Sequence, residues 1–367
     1  MKITEEQVLS ALRTVDDPDL KKDLVSLNMI ENIIIRDQSI AFTVVLTTPA
    51  CPLKEKIKSD CIKAIKKSLG EDLLITINMT SNVNTTRSQA INVLPSVKNI
   101  ICIASGKGGV GKSTIAVNLA VELANQGAKV GLIDADIHGP SIPTMLGIKG
   151  KKPAVREIKG KNYILPYEIN ENLKVLSIGL LVDERQAIVW RGAMVTSAIK
   201  QFITDCIWGQ LDYLFIDMPP GTGDVHLTMV QTVPVTGAII VTTPQEIALA
   251  DARKALSMFR MPSINVPIIG VIENMAYFTP AELPENKYYI FGNGGGKALA
   301  DEYEVPFLGQ IPLIQAIREG GDGGFPITMM EKNLANAAFE DIAQNAAREI
   351  SIRNANNPPT EKVEILA

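Results

Sequence analysis

The stretch GKGGVGKST, Gly106 to Thr114, has the G-x-x-x-x-G-K-[ST] spacing of a loop that wraps phosphates. Gly106, Gly108, Gly109 and Gly111 allow backbone N–H groups to approach the phosphate oxygens, with Val110 and Thr114 completing the loop. Lys112 is spaced to reach the β and γ phosphates of a nucleotide, and Ser113 to ligate magnesium. One lysine satisfies such a loop. Lys107 is a second, and the chemistry of the loop itself gives it no task.

Two acidic segments have the character of partners for that loop. In IDADIHGPS, Asp134 and Asp136 close an apolar run and would point to opposite sides of an extended strand, so only one can face the phosphates. Asp134 is equally well read as a loop or helix cap. In DYLFIDMPPGTGD, Asp217 follows four apolar residues, as a magnesium-side carboxylate does, and PPGTGD is a flexible loop able to sense a γ-phosphate. His138 and His226 each stand alone beside one of these loops, which favours loop hydrogen bonding over metal ligation.

The elements that must position these residues follow from the pattern around them. From Asn99 onward, seven short apolar runs alternate with helical segments: IICIAS, KVGLIDAD, LKVLSIG, DYLFIDMPP, GAIIVTTP, PIIGVIENM and VPFLGQIP. That alternation is the signature of an α/β fold with a doubly wound, mostly parallel sheet, whose ligands bind beyond the carboxyl ends of the strands. Crossover helices are expected over Thr114 to Gln126, Gln186 to Trp208, Ile247 to Phe259 and Lys297 to Tyr303. Residues 1–80 read as a small α/β unit, with helices over Glu5 to Val15 and Pro52 to Leu69 and strands at IENIII and IAFTVVLTT. Residues 81–98 read as a linker, 99–350 as the large domain and 351–367 as a polar tail.

Composition narrows the function. The chain of 367 residues is 46% hydrophobic and 21% charged, with net charge -4. No excess of Lys and Arg advertises nucleic-acid binding, no apolar run reaches membrane-spanning length, and the charged start lacks a signal-peptide core. A cytoplasmic protein with neither nucleic acid nor membrane as partner is expected. The four cysteines, Cys51, Cys61, Cys102 and Cys206, form no C-x-x-C pair.

The loop KGGVGKS, with its lysine directly after the first glycine, resembles the deviant Walker A loop of the MinD/ParA class of P-loop NTPases. Together with DADIHGPSIP, VWRGAM, TTPQEIALAD and IENM, it resembles the Mrp/ApbC family of iron–sulfur cluster carriers over Asn99 to about Ile327. The resemblance implies slow, dimer-dependent ATP hydrolysis with ATP and magnesium as cofactors. It also implies a homodimer that exchanges a 4Fe–4S cluster with scaffold or recipient apoproteins. By the same resemblance Lys107 reaches across the dimer to the partner's nucleotide and Asp136 positions the attacking water. Asn274 would recognise adenine; its alternative is a turn residue ending a strand. Trp190-Arg191-Gly192 matches a family signature, with Arg191 read as an interface or phosphate-proximal residue or as a plain helix-surface arginine.

The N-terminal unit, through VDDPDLKKDLVSLNMI and TTPACP, resembles the MIP18 family that is often fused ahead of Mrp ATPase domains, and Cys51 falls on that family's cysteine. A thiol at a strand–helix junction favours thiolate chemistry or metal ligation; a half-buried structural cysteine is the competing reading. The chain departs from the Mrp pattern in one place. Where a C-x-x-C pair is expected after Asn274-Met275, it carries Thr279, Pro280, Ala281 and Glu282, so four-thiolate ligation by two such pairs is lost. A bacterial and plastid branch of the family lacks the pair too. Cys51 is then the remaining thiol for a cluster, since Cys102 and Cys206 read as core and Cys61 lies ten residues along the same helix. A positioning or scaffold ATPase of the MinD/ParA type, without metal, is the second reading. The acidic end EKVEILA and the net charge favour the carrier.

Overall fold

The computed structural model describes residues 3–87, 93–137, 139–181, 192–280, 282–283, 285–331 and 334–360. His138, Trp190, Arg191 and Ala281 lie outside them. Contacts divide the chain into two compact units, Met1–Asn84 with Ser351–Asn357, and Thr85–Ile350 with Pro358–Ala367.

In the first unit, helix α1 (Glu5–Leu12) starts at a capping box: Thr4 accepts from the Gln7 backbone and Gln7 accepts from the Thr4 backbone. A two-residue ladder joins β1 (Asp16–Asp17) to β2 (Lys22–Asp23). A three-stranded sheet of β3 (Ile30–Arg36), β4 (Ser39–Leu46) and β5 (Leu74–Ser81) follows, with α2 (Lys54–Leu69) joining β4 to β5. Val8, Leu12, Phe42, Val44, Ile57, Cys61 and Ile65 form its core. The periodicity suggests a helix from Pro52, but α2 begins at Lys54, with Leu53 as its N-cap and no side-chain cap hydrogen bond. Cys51 therefore sits on the turn before the helix.

The second unit is built on one eight-stranded sheet, in the order β10-β11-β7-β12-β6-β13-β14-β15. Seven strands are parallel: β6 (Val97–Ala104), β7 (Val130–Asp134), β11 (Leu173–Ser177), β12 (Leu211–Asp217), β13 (Gly237–Thr242), β14 (Ile268–Glu273) and β15 (Phe307–Gln310). These are the seven apolar runs of the sequence, buried between helices except at β15, which is half-buried. The eighth, β10 (Tyr167–Asn170), pairs antiparallel at the edge. Its polar, half-exposed sequence gives no apolar run to read. A separate antiparallel hairpin, β8 (Ala154–Ile158) and β9 (Lys161–Leu165), precedes it and is likewise too exposed and polar to show as an apolar run.

Among the described residues the crossover helices are α3 (Lys112–Asn125), α5 (Gly192–Thr204), α6 (Asp224–Thr232), α7 (Glu246–Arg260) and α8 (Gly295–Glu302), with short α4 (Ile142–Met145) and α9 (Gln315–Gly323). Helix α10 (Leu334–Asn356) runs six residues into the segment that reads as a polar tail. Ser351, Arg353 and Asn354 are buried there, and Asn354 Nδ2 donates to the Asn84 carbonyl at 3.1 Å.

Candidate functional site

Strand β6 ends at Ala104 and α3 begins at Lys112, so SGKGGVG is the whole turn between them. Gly109 and Gly111 take φ of 83° and 81°, a region that glycine enters without strain. The turn is also tightly packed. A Cβ on Gly106 would overlap the Asp251 carbonyl of α7, and one on Gly111 would overlap Asn274 Nδ2. Gly108 stands beside Pro220 of the loop after β12.

Beneath the loop, Lys112 Nζ donates to Asp217 Oδ1 at 2.5 Å, and Ser113 Oγ donates to Asp217 Oδ2 at 2.6 Å. Lys112 is 6% exposed and Asp217 not at all, so the pair is held out of water. Burial pushes the Asp217 carboxyl above the usual carboxylate range, against the pull of Lys112 and Ser113. Asp134 ends the neighbouring strand in register with Asp217. It accepts from Ser177 Oγ at 2.9 Å and from the Asp136 backbone at 3.3 Å. Burial, with the Asp217 charge adding to it, pushes Asp134 up to about 8. Ser177 went unread in LKVLSIG; its signal was a polar residue closing an apolar strand.

Asp136 follows β7, half-buried. Lys107 is exposed, and its side chain makes no hydrogen bond or ion pair among the described residues; only its carbonyl is used, accepting from Ser105 Oγ at 3.0 Å. Asn274, buried at the end of β14, donates from Nδ2 to the Val110 carbonyl at 2.8 Å and so holds the loop's backbone. The next residue, Met275, has φ of 55°, a conformation uncommon for a side chain of its size. It turns the chain into the wall of a cavity of about 400 Å³ beside the loop, lined by Gly111, Thr114, Asn274, Met275, Leu313 and Ile317. The Pro312–Asp322 wall of this cavity carries no motif that sequence reasoning could have used.

The sequence-level residues thus divide. Gly106 to Thr114, Asp134, Asp217 and Asn274 converge at the carboxyl ends of β6, β7, β12 and β14, with Asp136 two residues past the end of β7. Cys51 belongs to the other unit, half-buried and packed against its core. Cys61, Cys102 and Cys206 are buried, and burial raises each thiol to about 12, which makes them inert. Among the described residues no group of three or more His, Cys, Asp or Glu side chains is arranged for a metal ion. His226 is buried on α6, edge-on to Phe259 with ring centroids 6.3 Å apart; among the described residues neither ring nitrogen makes a hydrogen bond of good geometry, and the carbonyl of Gly223 in the preceding loop is the backbone group that favours its charged form. Burial lowers its pKa to about 4.

The sequence model of the NUBPL iron-transfer P-loop NTPases matches residues 96–347, the unit that carries this site. The chain belongs to that family. A second match, to the iron–sulfur cluster assembly protein family, covers residues 5–75, ahead of the NUBPL-type unit. An iron–sulfur cluster carrier protein of Synechocystis is 47% identical over 355 residues, spanning 95% of this chain and 99% of that one. One from Deinococcus radiodurans is 44% identical, spanning 97% and 98%. A nucleotide-binding protein from Archaeoglobus fulgidus, solved in complex with ADP, is similar at TM-score 0.55 and 38% identity, over 63% of this chain and 88% of that one. Among the described residues of the NUBPL-type chain, no helix is long and apolar enough to cross a membrane.

Proposed function

We propose that the chain is an ATP-binding and ATP-hydrolysing iron–sulfur cluster carrier that works as a nucleotide-switched homodimer. The observation that carries the nucleotide half is the anchoring of both Lys112 and Ser113 on Asp217. The Ser113 hydroxyl and Asp217 carboxylate are hard oxygen donors that would suit magnesium, and the Lys112 ammonium is bonded to the same carboxylate. Bound there, magnesium would neutralise charge on the β and γ phosphates. With nucleotide bound, Lys112 would meet the phosphates, and the loop N–H groups and the α3 N-terminus would hold their oxygens. The neighbouring cavity has the size and mixed lining for the nucleoside, with Asn274 at its base edge. Asp136 orients the attacking water, and Lys107, exposed and unengaged in one copy, acts on the nucleotide of the second.

The cluster is cargo. Named relatives that span nearly the whole chain are cluster carriers, and the cluster-assembly match covers the unit that holds Cys51. With no C-x-x-C pair, each copy offers Cys51 alone, and scaffold or recipient apoproteins supply and take the cluster. Such a site is labile, because two thiolates in place of four leave iron open to exchange. Anaerobic reconstitution of parent and Cys51→Ser chains, with iron and sulfide counted beside visible absorption, tests it. Uptake lost in the variant is expected. Equal uptake by the variant removes Cys51 as a ligand, and no uptake by the parent removes the cargo.

A further inference from the structure

Among the described residues β8 has β9 as its one ladder partner, which leaves its other edge unpaired, and its five residues are all exposed. Strand β9 is fastened on its far side. Ile164 N donates to the Asp205 carbonyl at 2.8 Å, Ile207 N donates to the Ile164 carbonyl at 2.9 Å, and Lys161 Nζ meets Asp205 Oδ1 at 2.6 Å. The hairpin is therefore a fixed bracket that presents one open strand edge.

Charge gathers around that edge. In a chain of net charge -4, the short stretch KGKKPAVREIKGK holds Lys149, Lys151, Lys152, Arg156, Lys159 and Lys161 against one acid, Glu157. Among the described residues, the exposed side chains of Lys151, Lys152, Arg156 and Lys159 make no ion pair. Lysines on an edge strand also serve as a guard against random pairing. A guard alone does not explain why β-branched Val155 and Ile158 are left 62% and 40% exposed on the same strand. Such side chains favour addition of an extended segment.

We propose that β8 is a docking edge for an extended, acidic segment of a partner protein, which adds a strand to the hairpin and sets its carboxylates against Lys151, Lys152, Arg156 and Lys159. A nucleic acid fits less well: the hairpin carries one aromatic ring, Tyr163, with Lys161 Nζ 5.1 Å from its centroid, and so offers no row of rings on which successive bases stack. A lipid surface would use the charge and leave the open backbone edge unpaired. The proposal does not depend on ATP or cluster chemistry.

The probe is a fluorescein-labelled octapeptide alternating Glu and Val, followed by anisotropy. Oligothymidylate and phosphatidylserine vesicles serve as competing polyanions. The parent chain binds the peptide, and the K151E/K152E/R156E/K159E chain, checked for fold by circular dichroism and thermal midpoint, binds at least about tenfold more weakly. N-methylation of alternate peptide amides, which blocks strand pairing and leaves charge intact, causes a loss of about the same size on the parent. No peptide binding by the parent, equal binding by the charge-reversed chain or by the N-methyl peptide, or tighter binding of the oligonucleotide or vesicles overturns the proposal.

Discussion

Asp134 and Asp217 end neighbouring parallel strands in register, both wholly buried, with Lys112 as the cation that bonds to one of them. Two carboxylates and one ammonium in a dry site favour a neutral form of one acid. Burial and the neighbouring Asp217 charge push Asp134 up to about 8, toward its neutral form. Asp134→Asn is therefore expected to change single-turnover ATP hydrolysis by less than about tenfold. Asp136→Asn removes a charge near the water, and about a hundredfold loss with nucleotide affinity kept is expected. The reverse ranking would reassign the water-positioning carboxylate.

Lys112→Ala takes the charged partner from the phosphates and leaves Asp217 buried without it. About a hundredfold weaker ATP binding, read by equilibrium dialysis, is expected from the loss of charge-assisted hydrogen bonds. Binding at parental affinity would mean that another cation holds the phosphates.

Lys107→Ala is expected to fold normally, since an exposed, unengaged side chain contributes within about 0.5 kcal/mol. Its ATP affinity should stay near the parent's, while steady-state turnover falls by about a hundredfold or more through loss of a cationic finger. Sedimentation with ATP should also show fewer dimers. Turnover at the parental rate would leave Lys107 without the role argued for it.

His226 is neutral in the folded chain down to about pH 4, whereas in the unfolded chain it takes up a proton near 6.5. Burial is the main cause; the Lys112 charge acts in the same direction, and the Gly223 carbonyl opposes both. A depressed histidine makes the unfolded state bind more protons, so stability falls as pH drops from 6.5 toward 4, by about 2–3 kcal/mol in all. His226→Phe should remove that part of the slope in urea midpoints measured against pH. A variant whose midpoints track the parent's at every pH would show that His226 ionises freely.

The parallel strands were legible because each is a continuous apolar run, and the phosphate loop because its glycines and lysine have fixed spacing. Asp217 could be read from the run before it. What could not be read depends on tertiary neighbours. Ser177 matters only because β11 lies beside β7, and the Asn274 bond to Val110 only because β14 ends near a loop more than 160 residues earlier. The hairpin β8–β9 and edge strand β10 carry polar residues at strand positions, where local pattern says loop. The last turns of α10 fail for the opposite reason: Arg353 and Asn354 look like solvent-facing tail residues and are buried.

The engagement of Asp217 by Lys112 also bears on which ions enter this protein. A carboxylate and a hydroxyl left open in a buried cradle would bind stray divalent ions in order of affinity, and copper or iron rank well above magnesium there. In a family that moves iron, that would poison the switch with its own freight. Lys112 and Ser113 both hold Asp217 within the cradle. On the proposed nucleotide reading a metal would have to enter in company with the phosphates that draw Lys112 away, and selectivity would then follow from order of arrival and not from the donor set.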